Sequence, residues 1–154
     1  MPATFQWSES NGAGETVTNG ITNLNYGNTD APNISPASNP ITAGNNSYEK
    51  WNRGRFSGVY TTISNLRFWL SAGTYVTGET LKAAVNAAYA TPTASTSVVA
   101  TANVPTTEGT ALVPTAPGAS PDFSGYITSQ LQTTVSTPPG SVNQKTLTLR
   151  YDEV

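Results

Sequence analysis

The sequence predicts an all-β chain: a single-domain β-sandwich or jelly roll of about seven to nine strands joined by long Pro-, Asn- and Gly-rich loops. Composition is the first observation behind this. Roughly a third of the residues are Thr, Ser or Asn, accompanied by 13 Gly and 11 Pro. Thr favours pleated surfaces, and Asn, Gly and Pro favour turns. The second observation is apolar alternation at period 2 in several short segments. The third is the spacing of turn signals between those segments. At 154 residues the chain is one domain of ordinary size, taken as 1–154.

The elements follow in order. Residues 3–9 alternate Phe5 and Trp7 against polar neighbours, a strand. Asn11-Gly12-Ala13-Gly14 is turn chemistry, and Asn19-Gly20, between Val17 and Ile21, is a second hairpin signal. Residues 27–47 read as an extended loop or arm, lying either on its own domain or on a neighbour. Strands are expected at 54–61 and 64–71, the second placing Leu66, Phe68 and Leu70 on one face and Asn65, Arg67 and Trp69 on the other. Residues 79–90 are ambiguous. Their Ala content and the Glu79/Lys82 spacing suit a helix, whereas Leu81, Ala83, Val85, Ala87 and Tyr89 at period 2 suit a strand; the β-rich flanks favour the strand. A further strand is read at 95–104, then a second long loop or arm at 105–122. The strand at 124–136 sets Tyr126, Thr128 and Gln130 opposite Ile127, Leu131 and Val135, half-buried. Pro138-Pro139-Gly140 turns the chain into a last strand at 144–151.

Charge and missing residue types limit the function classes. Only seven basic and nine acidic side chains give a net charge of -2, and no His or Cys occurs. Nucleic-acid binding relies on clustered Lys and Arg, so no nucleic-acid partner is expected, nor an anionic membrane surface. No apolar stretch is long enough to span a bilayer. The N-terminal residues carry no basic region followed by an apolar one, so no signal peptide is read and a cytoplasmic origin is expected. Disulfides and thiolate metal sites are excluded, and no cofactor is expected.

The chemistry that remains is sparse. Triad catalysis through His is ruled out. Glu9 and Glu49 could approach as a glycosidase pair, but any domain with nine acids offers such pairs. Ser47-Tyr48-Glu49-Lys50 matches the bare Ser-x-x-Lys pattern without its companion motifs, and is read as chance. Asp152-Glu153 reads as a solvated tail, not a calcium site. The expectation is therefore a protein that is not an enzyme. The densest segment is 48–71, with six aromatics and four of the seven basic residues. Its interface candidates are Tyr48, Trp51, Arg53, Arg55, Arg67 and Trp69, since Trp, Tyr and Arg are enriched at binding hot spots. Stacking on sugar rings, or plain burial with Arg stems over core aromatics, are the other readings.

The series Pro40-Ile41-Thr42-Ala43-Gly44-Asn45-Asn46-Ser47-Tyr48-Glu49-Lys50-Trp51, then Ser64-Asn65-Leu66-Arg67-Phe68-Trp69, resembles small virion structural proteins of tailed bacteriophages. So does the end, Thr137-Pro138-Pro139-Gly140-Ser141-Val142-Asn143 followed by Tyr151-Asp152-Glu153. The resemblance implies a β-sandwich or jelly roll, with Asn65, Phe68 and Trp69 on a strand and a Pro139-Gly140-x-x-Asn143 turn before the last one. It also implies a non-enzymatic part of the particle: a capsid decoration (cement) protein, or a tail or adaptor component. The partners implied are the major capsid protein or other virion subunits and further copies of the chain, and the location is the virion. A carbohydrate- or receptor-binding β-sandwich module, with Tyr48, Trp51 and Trp69 as platforms, is the alternative.

Overall fold

A computed structural model describes residues 2–140 and 143–154. Among these residues the chain forms eight strands in two antiparallel sheets. The strands are β1 (Thr4–Asn11), β2 (Thr16–Asn19), β3 (Lys50–Ser57), β4 (Ile63–Ala72), β5 (Glu79–Asn86), β6 (Asp122–Phe123), β7 (Tyr126–Thr133) and β8 (Thr146–Glu153). The large sheet runs β2-β1-β3-β7-β5, with the two-residue β6 also on β3, and the small sheet is β4-β8. No helix among the described residues is long and apolar enough to cross a membrane.

The inner face of the large sheet meets the small one through aromatic rings. Phe5 lies opposite Phe56, and Trp7 opposite Gly54. Phe56 packs edge-on against Tyr151 at 4.8 Å, and Trp7 against Phe68 at 6.2 Å. Phe68 and Leu70 of β4 join Leu81, Ile127 and Leu131 in the main core. Gly54 is required here: a Cβ at this position would lie 2.9–3.1 Å from Phe5, Phe56 and Leu149.

Bulges reconcile two of the strands with the core. In β4 the register slips between Ser64 and Arg67, and Asn65 there has a φ of 52°. Asn tolerates that left-handed conformation, and the extra residue turns both Ile63 and Leu66 inward. The alternation read for 64–71 is therefore observed, with Leu66, Phe68 and Leu70 buried. On the large sheet β6 and β7 are one strand line: Arg55 pairs with Phe123 and Asn52 with Ile127, which leaves one unmatched residue at Ser124-Gly125.

Several expectations are corrected. The strand read at 54–61 begins earlier, at Lys50, and ends at Ser57, because the charged Lys50 turns inward. Asn19-Gly20 makes no second hairpin. β2 pairs back on β1 across the turn at 12–15, and Gly20, with φ of 69°, leads the chain off the sheet. The strand favoured for 79–90 is observed over Glu79–Asn86 and stops there, so Ala87 and Tyr89 lie beyond it. Residues 95–104 are not. Ser97 Oγ accepts from the backbone amides of Val99 and Ala100, which bends the segment locally, and only Asn103 bridges to β5. The strand expected at 124–136 is observed over Tyr126–Thr133, and where the sequence predicts half-burial Tyr126 through Leu131 are all buried, so both faces of β7 are covered. Ser141 and Val142 of the expected turn lie outside the described residues.

The long loops form covering layers. Residues 27–47 fold over the inner face beyond the reach of the small sheet, where Ile34 is buried and the Ala31 carbonyl accepts from Lys50 Nζ at 2.7 Å. Residues 87–100 cover the outer face: Gln130 of β7 binds the carbonyls of Thr93 and Ser95 and the amide of Ser97. Residues 102–112 join the sheets. Val104 N donates to Leu81 O of β5, Leu70 N of β4 donates to Pro105 O, and Leu112 exchanges backbone hydrogen bonds with Phe68.

Phe56 is fully buried and Val98 is 86% exposed. Phe56→Ala is expected to cost about 3–5 kcal/mol, and Val98→Ala no more than about 0.5 kcal/mol, both measured by urea denaturation.

Candidate functional site

The six interface candidates divide between opposite outer faces of the sandwich. Trp51, Arg53 and Arg55 stand on the outer face of the large sheet, since Trp51 pairs with Thr128 and Arg55 with Phe123. Arg67 and Trp69 stand on the outer face of the small sheet, opposite Arg150 and Thr148. Tyr48 precedes β3 and is partly exposed, its amide donating to Gly27 O. Closeness in sequence across 48–69 therefore does not become one surface. The chain crosses from sheet to sheet between Ser57 and Ile63.

Trp51 must be corrected as a surface anchor. It is 1% exposed, held edge-on between Tyr89 at 5.3 Å and Tyr126 at 5.7 Å, with its indole N–H donating to Glu49 at 3.1 Å. Its burial comes from the 87–100 layer, which no local pattern around Trp51 announces. Arg53 is clamped by chain-distant groups. Its guanidinium lies 4.3 Å from the centres of both the Phe123 and Tyr126 rings and pairs with Glu15 at 3.2 Å. Glu15 sits in the β1–β2 turn with φ of 50° and accepts from Ser10, Arg53 and the Tyr126 hydroxyl. Arg55 donates to Gln6 at 3.3 Å.

Tyr89, Phe123, Tyr126 and Glu15 belong to this cluster but were not singled out from sequence. Tyr126 did carry a signal, as the aromatic on the more polar face of its strand. Burial and nearby carboxylates govern these phenols. Tyr126 is pushed up to about 12 by burial, then by its bond to Glu15; Tyr89 is pushed up to about 12 by burial, then by Asp30 and Glu15. Burial also drives Tyr26, which is bonded to Ser129 Oγ at 2.7 Å, well above the ordinary phenol value.

The small sheet presents a different surface. Arg67 and Arg150 are direct neighbours across the strands, an unfavourable like-charge pair. Arg150 is compensated by Glu108 and Asp152, whereas among the described residues Arg67 makes no ion pair. Trp69 is partly exposed between them and Ser71, beside Thr148. The edge of β8 away from β4 has no backbone partner among the described residues. None of the eight β8 residues is fully buried, Leu147, Leu149 and Tyr151 included. A cleft of about 1360 Å³ runs beside the start of this strand, with Trp7, Leu81 and Leu131 from the large sheet beneath and Ile41 and Leu147 alongside. No β4 residue lines it, so it opens on the free side of β8.

Glu9 and Glu49, the two carboxylates weighed as a glycosidase pair and set aside, are each committed elsewhere. Glu9 bonds Lys50 at 2.8 Å on the inner face, and Glu49 bonds Trp51 on the outer face. Ser47 Oγ donates to its neighbour's carbonyl and Lys50 Nζ to Glu9 and Ala31, so the Ser-x-x-Lys pair makes no mutual bond. Among the described residues, no three Asp or Glu side chains gather as a metal site. No protein-family model matches the chain, and neither a curated protein nor a solved structure matches it.

The tyrosines give a pH expectation. Their folded values lie above the unfolded value of about 10, so the stability they contribute is complete below that pH. It is lost as pH rises from about 10 through about 12. Ultraviolet titration is expected to show two phenols ionising near 12 and Tyr26 later. The melting temperature is expected to fall over the same window, and less steeply in Tyr126→Phe.

Proposed function

We propose that this protein is a non-enzymatic structural component of a virion, a capsid decoration (cement) protein that bridges capsid subunits and reinforces the particle. The observation that carries this reading is the small sheet: an eight-residue strand whose edge away from β4 has no backbone partner among the described residues, and which is incompletely buried on its apolar side. Such an edge takes up an added strand through main-chain hydrogen bonds, and alternate side chains supply specificity. On the same sheet Trp69 and Arg67 offer the residue types that dominate interface energetics. A scarcity of charge elsewhere suits a surface largely covered by neighbouring subunits.

Trp69 and Arg67 are thus the anchors of this reading, and the Trp51 cluster is its internal support. A sugar-binding reading loses Trp51 as a platform and keeps only Trp69 and Tyr48.

The test is cosedimentation of the protein with particles that lack it, together with the melting temperature of those particles. Binding and a raised melting temperature are expected. Trp69→Ala is expected to weaken binding by about 2 kcal/mol or more, on the order of 30-fold, with the protein's own unfolding temperature nearly unchanged. Arg67→Ala is expected to weaken it less. Absence of binding to any particle component would sink the assembly reading, and saturable glycan binding lost in Trp69→Ala would establish the sugar-binding one.

A further inference from the structure

The inner face of β1 and β3 holds a buried group of reactive side chains that the surface reading does not use. Lys50 and Glu9 are each 1% exposed and Asn11 is 8% exposed. Glu9 and Asn11 share a face of β1, and Lys50 lies one step beyond the Ser10–Trp51 pair, opposite Asn11. A single oxygen, Glu9 Oε1, accepts from Lys50 Nζ at 2.8 Å and from the Asn11 amide nitrogen at 2.9 Å. The second amide hydrogen of Asn11 goes to Asp30 Oδ1 at 2.7 Å, and Asp30 Oδ2 accepts from Gly12 N at 2.7 Å. Lys50 Nζ is further fixed by Ala31 O at 2.7 Å. Two buried oxygens, Glu9 Oε2 and Asn11 Oδ1, have no hydrogen-bond partner among the described residues.

We propose that this is a self-catalysed cross-linking site, in which Lys50 and Asn11 join through an isopeptide bond with Glu9 as the proton relay. A buried amine next to a carboxylate is a nucleophile once its proton has moved to that carboxylate. The Lys50 ammonium passes one proton across the hydrogen bond to Glu9, leaving a neutral amine and a carboxylic acid. Lys50 Nζ attacks Asn11 Cγ to form a tetrahedral adduct. Glu9 then gives its proton to Asn11 Nδ2 and takes the second proton from Nζ. The Cγ–Nδ2 bond breaks, the Cγ–Nζ amide remains, and ammonia leaves.

No oxidant or co-reactant is consumed, and atoms and charge balance. One oxygen contacting both the attacking and the departing nitrogen is the geometry such a relay needs. Exclusion of water protects the adduct from hydrolysis. The reaction also replaces a buried ion pair, costly to desolvate, with a neutral amide. The carboxylic acid left on Glu9 supplies a donor to a cluster whose two orphan oxygens are both acceptors. The product ties β1 to β3 covalently.

Trypsin offers a direct readout on this chain, because residues 1–49 contain no Lys or Arg. Trypsin does not cut after an acylated lysine. The linked protein is therefore expected to yield an N-terminal peptide ending at Arg53 and lighter than its sequence by one ammonia, with fragment ions joining Asn11 to Lys50. Glu9→Gln and Lys50→Met are expected to show no such deficit, and Glu9→Gln to yield the peptide ending at Lys50.

A wild-type peptide ending at Lys50 with the sequence mass overturns the proposal. So does an ammonia deficit with cleavage after Lys50 retained, which marks a succinimide at Asn11-Gly12. Loss of water in place of ammonia identifies Asp30 as the acyl donor and overturns the role of Asn11. A deficit that persists in Glu9→Gln overturns the relay. The wild-type measurement stands even if a variant fails to fold.

Discussion

The constraint on which this structure depends is the unequal size of its two sheets. Six strands present two broad faces, and two strands cannot cover even one of them. An antiparallel sheet can leave one face to solvent, yet β7 is buried on both sides from Tyr126 to Leu131. The missing cover comes from loops: 27–47 within and 87–100 without. Loops laid over a sheet bring backbone donors and acceptors that must be satisfied. Here Gln130, Ser97 and Ser47 satisfy many of them. The abundance of Ser, Thr and Asn is thus the chemistry of an ordered covering layer. The cleft beside β8 is where the cover stops.

Few charges do not mean a neutral interior. Lys50–Glu9 is wholly buried, and Lys145 reaches the buried Glu79 at 2.7 Å. Leaving one member of such a pair alone in low dielectric is strongly destabilising, so these residues specify how loops and strands register. Arg53 works likewise, pinning the β1–β2 turn through Glu15 to aromatics more than a hundred residues away in sequence. Arg67, without such a partner among the described residues, is the contrast. It stands with Trp69 where the small sheet faces outward, on the side to which the assembly reading is assigned.

Legibility in the sequence followed the range of the forces involved. β4 was readable because its alternation is local and the bulge that precedes Leu66 falls on Asn65, a residue that tolerates a left-handed backbone. β5 was readable as a strand despite its alanines because the period-2 set of Leu81 and Ala83 is what the core accepts. Residues 95–104 have strand composition, but Ser97 diverts the local amides, and only the last residues, 102–104, reach β5, through an isolated bridge. The candidate site was legible as a set of residue types and not as a place. Trp51 and Trp69 look alike in sequence, and one is core while the other is surface. Asn11, by contrast, reads in sequence as part of a turn, and Lys50 as part of a segment dense in basic and aromatic residues. Their meeting over Glu9 depends on a strand pairing across some forty residues, which no local pattern reports.

Sequence alone determined the fold class, the approximate places of most strands and the absence of His and Cys, because pleating, turns and composition act over a few residues. Only the tertiary structure decided that the sheets are unequal, that Trp51 is internal, and that the outer edge of β8 and the cleft beside that strand stay open. Those outcomes come from which segments compete to cover a limited apolar surface, and that competition is settled between residues far apart in the chain.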